Sequence, residues 1–145
     1  MKAEVRWVGD RTFVGATASG HEVTLGTAHG GGEKPGPSAM ELVLIGAGGC
    51  SAWDVVNILE KSRAGMVECR VELDADRAEE EPRVFTRIHL HFVVAGPGLD
   101  PRKVERAIAL SVEKYCSAIA MLEKTATVTH DYEIAAAPAA AAGGA

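Results

Sequence analysis

Between Leu42 and Leu59 the chain reads LVLIGAGGCSAWDVVNIL, a segment apolar on almost every side if wound as a helix. Ser38-Ala39-Met40-Glu41 opens it as a capping box, in which serine and glutamate each satisfy an orphan backbone amide. A helix without a polar face is buried on most sides. A chain of 145 residues struggles to supply that much cover. A second copy supplies it most simply, so a homodimer with an extensive apolar interface is expected. Gly46, Gly48 and Gly49 each cost the helix about 1 kcal/mol relative to alanine and suit a place where another backbone comes very close. They stand within one turn of Cys50. Polar residues at 60–63 and Gly65, a good C-cap, are expected to end the helix.

The length suits one domain, taken as residues 1–134, followed by an Ala/Gly/Pro tail at 135–145 that has nothing to bury and is expected to be disordered. A net charge of −5 argues against nucleic acid as a partner, because phosphate binding needs a basic surface. No apolar run approaches the roughly 20 residues needed to cross a bilayer, so no membrane role is expected. The opening Met1-Lys2-Ala3-Glu4-Val5-Arg6-Trp7 alternates like a strand and lacks a signal-peptide core, which points to the cytoplasm.

Before the helix, short strands are predicted over residues 2–8, 12–18 and 22–27, with Gly9-Asp10 and Ser19-Gly20 as turns. A glycine-rich stretch at 29–37 lacks the lysine and spacing of a phosphate loop and serves as a connector. After the helix, residues 67–76 and 84–95 alternate as two long strands, each with one buried and one wet face. Asp100-Pro101 starts a second helix, with the acid as N-cap. Its apolar stripe is Val104, Ile108, Val112, Tyr115 and Ile119. A break around Lys114-Tyr115-Cys116-Ser117 would set Cys116 near a new helix start, where a thiolate is stabilised. A strand over 125–134 comes last.

Three cysteines form no CxxC pair and no spacing of the kind zinc sites use, so neither metal nor cofactor is expected. Cys69 lies on the apolar side of its strand and reads as a small hydrophobe. His89 and His91 share a wet strand face with no third ligand near them in sequence. Cys50 and Cys116 each ride on a helix with an apolar face. If those helices pack together, the thiols meet in a partly dry pocket suited to oxidation of one and resolution by the other.

Gly36-Pro37-Ser38-Ala39-Met40-Glu41-Leu42-Val43-Leu44, then Gly48-Gly49-Cys50, then Tyr115-Cys116-Ser117-Ala118, resemble the OsmC/Ohr family, named for osmotically inducible protein C and organic hydroperoxide resistance. The likeness runs over residues 1–134, and Gly-Gly-Cys looks more like the OsmC-like branch. The resemblance implies an α+β fold, two intertwined subunits with active sites at their interface, and a thiol-dependent peroxidase preferring organic hydroperoxides. By position it makes Cys50 the peroxidatic and Cys116 the resolving cysteine. It also calls for an arginine from the N-terminal strands and a glutamate on the cysteine helix. Arg11 is the best placed arginine, and Glu41 lies one position from the family glutamate, whose place Met40 takes.

In that chemistry the Cys50 thiolate attacks the O–O bond, and Cys116 condenses with the resulting sulfenic acid. A dithiol of unstated identity then resets the pair. Leu42, Ile45, Trp53 and Tyr115 would form an apolar pocket favouring organic peroxides, although residues such as Trp53 and Tyr115 are more often plain core. Two other readings stay open. One is a non-catalytic dimer that binds a small apolar ligand, and the other is a redox sensor that forms the disulfide but turns over poorly.

Overall fold

The computed structural model describes residues 1–139. By compactness the chain divides into two units, Met1–Ile45 and the residues from Gly46 onward.

The first unit is built on an antiparallel meander of β1 (Ala3–Gly9), β2 (Thr12–Thr17) and β3 (Glu22–Gly26). Gly9, Asp10 and Gly20 take positive φ at the two turns, as the turn residues require. The helix α1 (Ala39–Lys61) begins in this unit. Its capping box forms as expected: the Glu41 amide donates to Ser38 Oγ at 3.2 Å, and the Ser38 amide donates to Glu41 Oε2 at 2.7 Å.

The second unit holds the remainder of α1 and a sheet in the order β4-β5-β6. β4 (Glu68–Arg77) and β5 (Phe85–Ala95) form the expected hairpin, while β6 (Thr127–Ala135) returns parallel to β5. The crossover between β5 and β6 is α2 (Pro101–Leu110), a π-helical turn (Ser111–Tyr115) and α3 (Ser117–Leu122). Asp100 caps α2 by accepting the Arg102 amide at 2.9 Å. Ile88, Leu90, Phe92 and Val94 point from β5 into the core, where Val55, Leu59, Val104, Ile108 and Ile119 are also buried. Registers such as Val71 opposite Phe92 and Leu73 opposite Leu90 keep one face of the hairpin apolar.

Three expectations need correction. First, α1 buries only one stripe within the chain, made of Ala47, Gly48, Ser51, Val55 and Leu59. Ile45 is 60 % and Trp53 73 % exposed. Gly48 is approached closely by a side chain rather than a backbone, since a methyl there would press on Leu73 Cδ1 at 2.6 Å, whereas Gly46 and Gly49 face open space. Second, α1 at 23 residues is long and apolar enough, by length and composition alone, to cross a membrane. Its apolar residues outnumber what its single packed stripe uses.

Third, Gly65 is not the residue that stops α1. Arg63 does so, at φ 50°, with its amide donating to the Glu60 carbonyl and the Ala64 amide to the Leu59 carbonyl. This is a Schellman ending with a side chain where glycine is favoured. Left-handed backbone costs a residue with a Cβ about 1–2 kcal/mol, partly offset by the entropy glycine loses on folding. Arg63→Gly should therefore stabilise the chain by roughly 0.5–1 kcal/mol. A urea midpoint that fails to rise at unchanged slope would count against this account of the turn.

A buried dithiol and carboxylate cluster

α1 and the α2–α3 crossover bring together side chains far apart in sequence. Sγ of Cys50, Sγ of Cys116 and a carboxylate oxygen of Asp54 all lie within 4.8 Å of one another. Cys50 is half-buried and Cys116 only 2 % exposed, and both are reduced. Asp54 follows Cys50 by four residues, so the two project from the same side of α1. Cys116 reaches them because the π-helical turn breaks the crossover helix where the sequence suggested. It sits at the head of α3 with φ −71° and ψ 102°.

The cluster is held by hydroxyls. Ser51 Oγ donates to Cys116 Sγ at 3.2 Å, and the Ile119 amide approaches the same sulfur at 3.5 Å. Ser111 Oγ lies 3.1 Å from the Ser51 carbonyl oxygen and 3.2 Å from Asp54 Oδ2, ready to donate to either. Ser51 and Ser111 are both fully buried, and neither is left without a partner. Their pairing ties α1 to the π-helical turn at the level of the thiols.

Burial pushes the Cys116 thiol above its ordinary value. The hydrogen bonds from Ser51 and the Ile119 amide pull the other way, and neighbouring Cys50 raises it again. The head of α3 thus does place donors on the sulfur, but desolvation outweighs them, contrary to the expected stabilised thiolate. Cys116 stays protonated at neutral pH. Cys69 is pushed up as well, by burial, on the core side of β4.

The remaining candidates are placed as follows. Arg11 lies in the β1–β2 turn, where its carbonyl accepts the Thr27 amide. Glu41 is bound by Lys34 Nζ at 2.6 Å besides the Ser38 amide, and these partners, Lys34 foremost, hold its carboxyl down at about 2. Leu42 is half-buried and Ile45 exposed. Trp53 and Tyr115 are exposed, Tyr115 to 51 %, so neither is a plain core residue within the chain. Tyr115 does line a cavity of about 510 Å³ with Asp54, Asn57, Ile58, Lys61 and Leu110, which opens beside the cluster through Asp54. A larger cavity, about 740 Å³, runs along Met1–Ala3 and Thr17–Ser19 and has no thiol in its wall.

Asp54, Ser51 and Ser111 were not singled out by sequence. Only the Cys-x-x-x-Asp spacing on a helix carried a signal for Asp54; the serines carried none. The wet histidine pair also gains a partner that sequence distance concealed. β6 pairs in parallel with β5, setting Asp131 opposite His91. Asp131 Oδ1 accepts from His91 Nδ1 at 2.6 Å and from His89 Nε2 at 3.2 Å. The hydrogen bond to Asp131 raises the His91 pKa above its ordinary value.

A two-sheet α+β chain with a long apolar helix carrying one cysteine, and a second cysteine at a helix break beside it, defines a recognisable class. Residues 30–131 match the family model described as OsmC-like protein, and the chain belongs to the OsmC-like family. Protein YhfA of Escherichia coli strain K12 is 51 % identical over 137 residues, covering 94 % of this chain and all of that protein. A solved structure of a hypothetical protein from Aquifex aeolicus is 30 % identical, covers 94 % of this chain and 97 % of its own, and superposes with a TM-score of 0.83. An organic hydroperoxide resistance protein from Legionella pneumophila shares the fold at 16 % identity and TM-score 0.65, over 91 % of this chain and 95 % of its own.

Proposed function

We propose that the chain is a thiol-dependent peroxidase that reduces organic hydroperoxides, and hydrogen peroxide more weakly, in defence against oxidative stress. The observation that carries the proposal is the meeting of a half-exposed and a buried thiol within 4.8 Å, from residues 66 positions apart (116 minus 50). The reading is supported by the peroxide-related redox character of the family.

Cys50, the more accessible sulfur, is the peroxidatic residue. Its thiolate attacks the terminal peroxide oxygen, the O–O bond breaks, and the alkoxide leaves with a proton as alcohol. Cys50 is then a sulfenic acid. Cys116, held as a thiol by burial, attacks the Cys50 sulfur and water leaves, which closes the disulfide. An external dithiol returns the pair to thiols. The cavity beside Asp54 and Tyr115 offers room for the organic part of the substrate, with Leu42, Ile45 and Trp53 as further apolar lining in the assembled protein. The resemblance assigns Arg11 to steadying the thiolate and the peroxide, with Glu41 its nearest glutamate, although Met40 takes the family glutamate's place and Glu41 is held by Lys34 and Ser38. The working form is a cytoplasmic homodimer in which the exposed side of α1 is covered by a second copy.

One equivalent of organic hydroperoxide should convert Cys50 and Cys116 to a disulfide and leave Cys69 reduced. Peptide mapping by mass spectrometry tests this. A Cys50–Cys69 bridge, or no bridge, would sink the proposal. A second reading, a redox sensor with slow turnover, is favoured by one observation: the Glu41 carboxylate is already saturated by Lys34 and Ser38. Such a sensor would form the same disulfide but consume little peroxide over repeated cycles.

A further inference from the structure

The geometry points to a second use of the dithiol: in the reduced state Cys50, Cys116 and Asp54 form a three-ligand site for a thiophilic divalent cation such as zinc. The site itself stands on the cluster's geometry; its effect on turnover rests on the peroxidase reading above.

Cysteine sulfur and carboxylate oxygen are both zinc ligands, and three protein ligands with a fourth position open suit its tetrahedral geometry. With Zn–S near 2.3 Å, two ligating sulfurs stand about 3.8 Å apart. The three donor atoms here already lie within 4.8 Å of one another, so small side-chain rotations close the site. Its supporting contacts are in place. Ser51 Oγ and the Ile119 amide donate to Cys116 Sγ, and Ser111 Oγ stands against Asp54 Oδ2. Contacts of this kind orient ligands and sharpen affinity.

A half-buried carboxylate beside two thiols also has an electrostatic motive. A dication among one carboxylate and two sulfurs meets three acidic ligands at once. The metal takes both sulfurs as thiolates, so binding releases the protons the thiols carry. Both sulfurs are then held by the metal and react with peroxide only as the cation dissociates. The cation acts as a brake on turnover. Organic hydroperoxide works against it: forming the disulfide takes two electrons from the sulfurs, reduces the peroxide to alcohol and water, and eliminates two of the three ligands. The cation leaves on oxidation and can return after the dithiol resets the pair.

The test uses reduced, full-length protein and cobalt(II) as a spectroscopic probe, followed by zinc competition against a chromophoric chelator. One cobalt per subunit with a sulfur-to-cobalt charge-transfer band is expected, and it should vanish when one equivalent of cumene hydroperoxide is added. Cys50→Ser and Cys116→Ser should abolish the band. Asp54→Asn should weaken zinc at least ~10-fold while its circular dichroism shows the fold intact. Cys69→Ser, and His91→Ala on the exposed histidine pair, should leave affinity unchanged. The site is refuted if cobalt binds without the band, if Asp54→Asn binds zinc as tightly as the parent, or if His91→Ala removes the metal. Absence of cobalt binding in protein that still consumes peroxide also refutes it. Binding as expected in metal-free protein that consumes no peroxide instead overturns the peroxidase reading and leaves the metal site standing.

Discussion

Cys50→Ser should reduce dithiol-driven consumption of organic hydroperoxide at least ~10³-fold, because a serine hydroxyl is not ionised at neutral pH and no base in the cluster turns it into a comparable nucleophile. Cys116→Ser should behave differently. It keeps the attacking sulfur, so each site should consume one equivalent of peroxide and then stop as a sulfenic acid or oxidise further. The asymmetry follows from burial, since Cys116 is 2 % exposed and its thiol is pushed up, whereas Cys50, in the middle of α1, is half-buried. Dimedone labelling of each variant reads the outcome. A label on Cys116 in the Cys50→Ser protein, with none on Cys50 in the Cys116→Ser protein, would reverse the roles.

Trp53→Glu should split the proposed homodimer. Trp53 is 73 % exposed on α1, and it stands near Gly49, where a methyl group would touch nothing within the chain. An apolar helix that leaves such positions bare is covered by another apolar surface. Buried tryptophans at the centre of an interface are worth about 2–4 kcal/mol, or roughly 30- to 1,000-fold in dissociation constant. A glutamate there adds the cost of desolvating a charge. Sedimentation of the parent at low micromolar concentration should show a dimer, and the variant a monomer. A parent that sediments as a folded monomer would remove the basis for the interface. In the dimer this face is also where the thiols and the cavity lining would be completed, so Trp53→Glu should lower peroxidase activity together with assembly.

The elements legible in the sequence are those set by neighbours within a few residues. Ser38 and Glu41 cap α1 because their side chains reach amides three positions away, and Asp100-Pro101 opens α2 by the same local chemistry. Alternation along residues 68–77 and 85–95 marks two faces because side chains in a strand point to opposite sides in turn. The break at Cys116 was expected too, around Lys114-Tyr115-Cys116-Ser117. Membership of the OsmC-like family could likewise be read from short motifs around the two cysteines.

What the tertiary structure alone decided are the long-range meetings. Asp54 joins the thiols, and Ser111 joins Asp54 across 57 residues, only because the π-helical turn packs on α1. Asp131 reaches the histidine pair because β6 returns parallel to β5, and no pattern within either strand specifies that register. The Cys116 titration moved opposite to the local expectation, because desolvation is a property of everything packed around a group rather than of the helix start beneath it. Arg63 ends α1 in place of Gly65 for a related reason: the buried Leu59 and Ala64 fix where the chain must turn, and the residue at that point takes the left-handed backbone whatever its side chain.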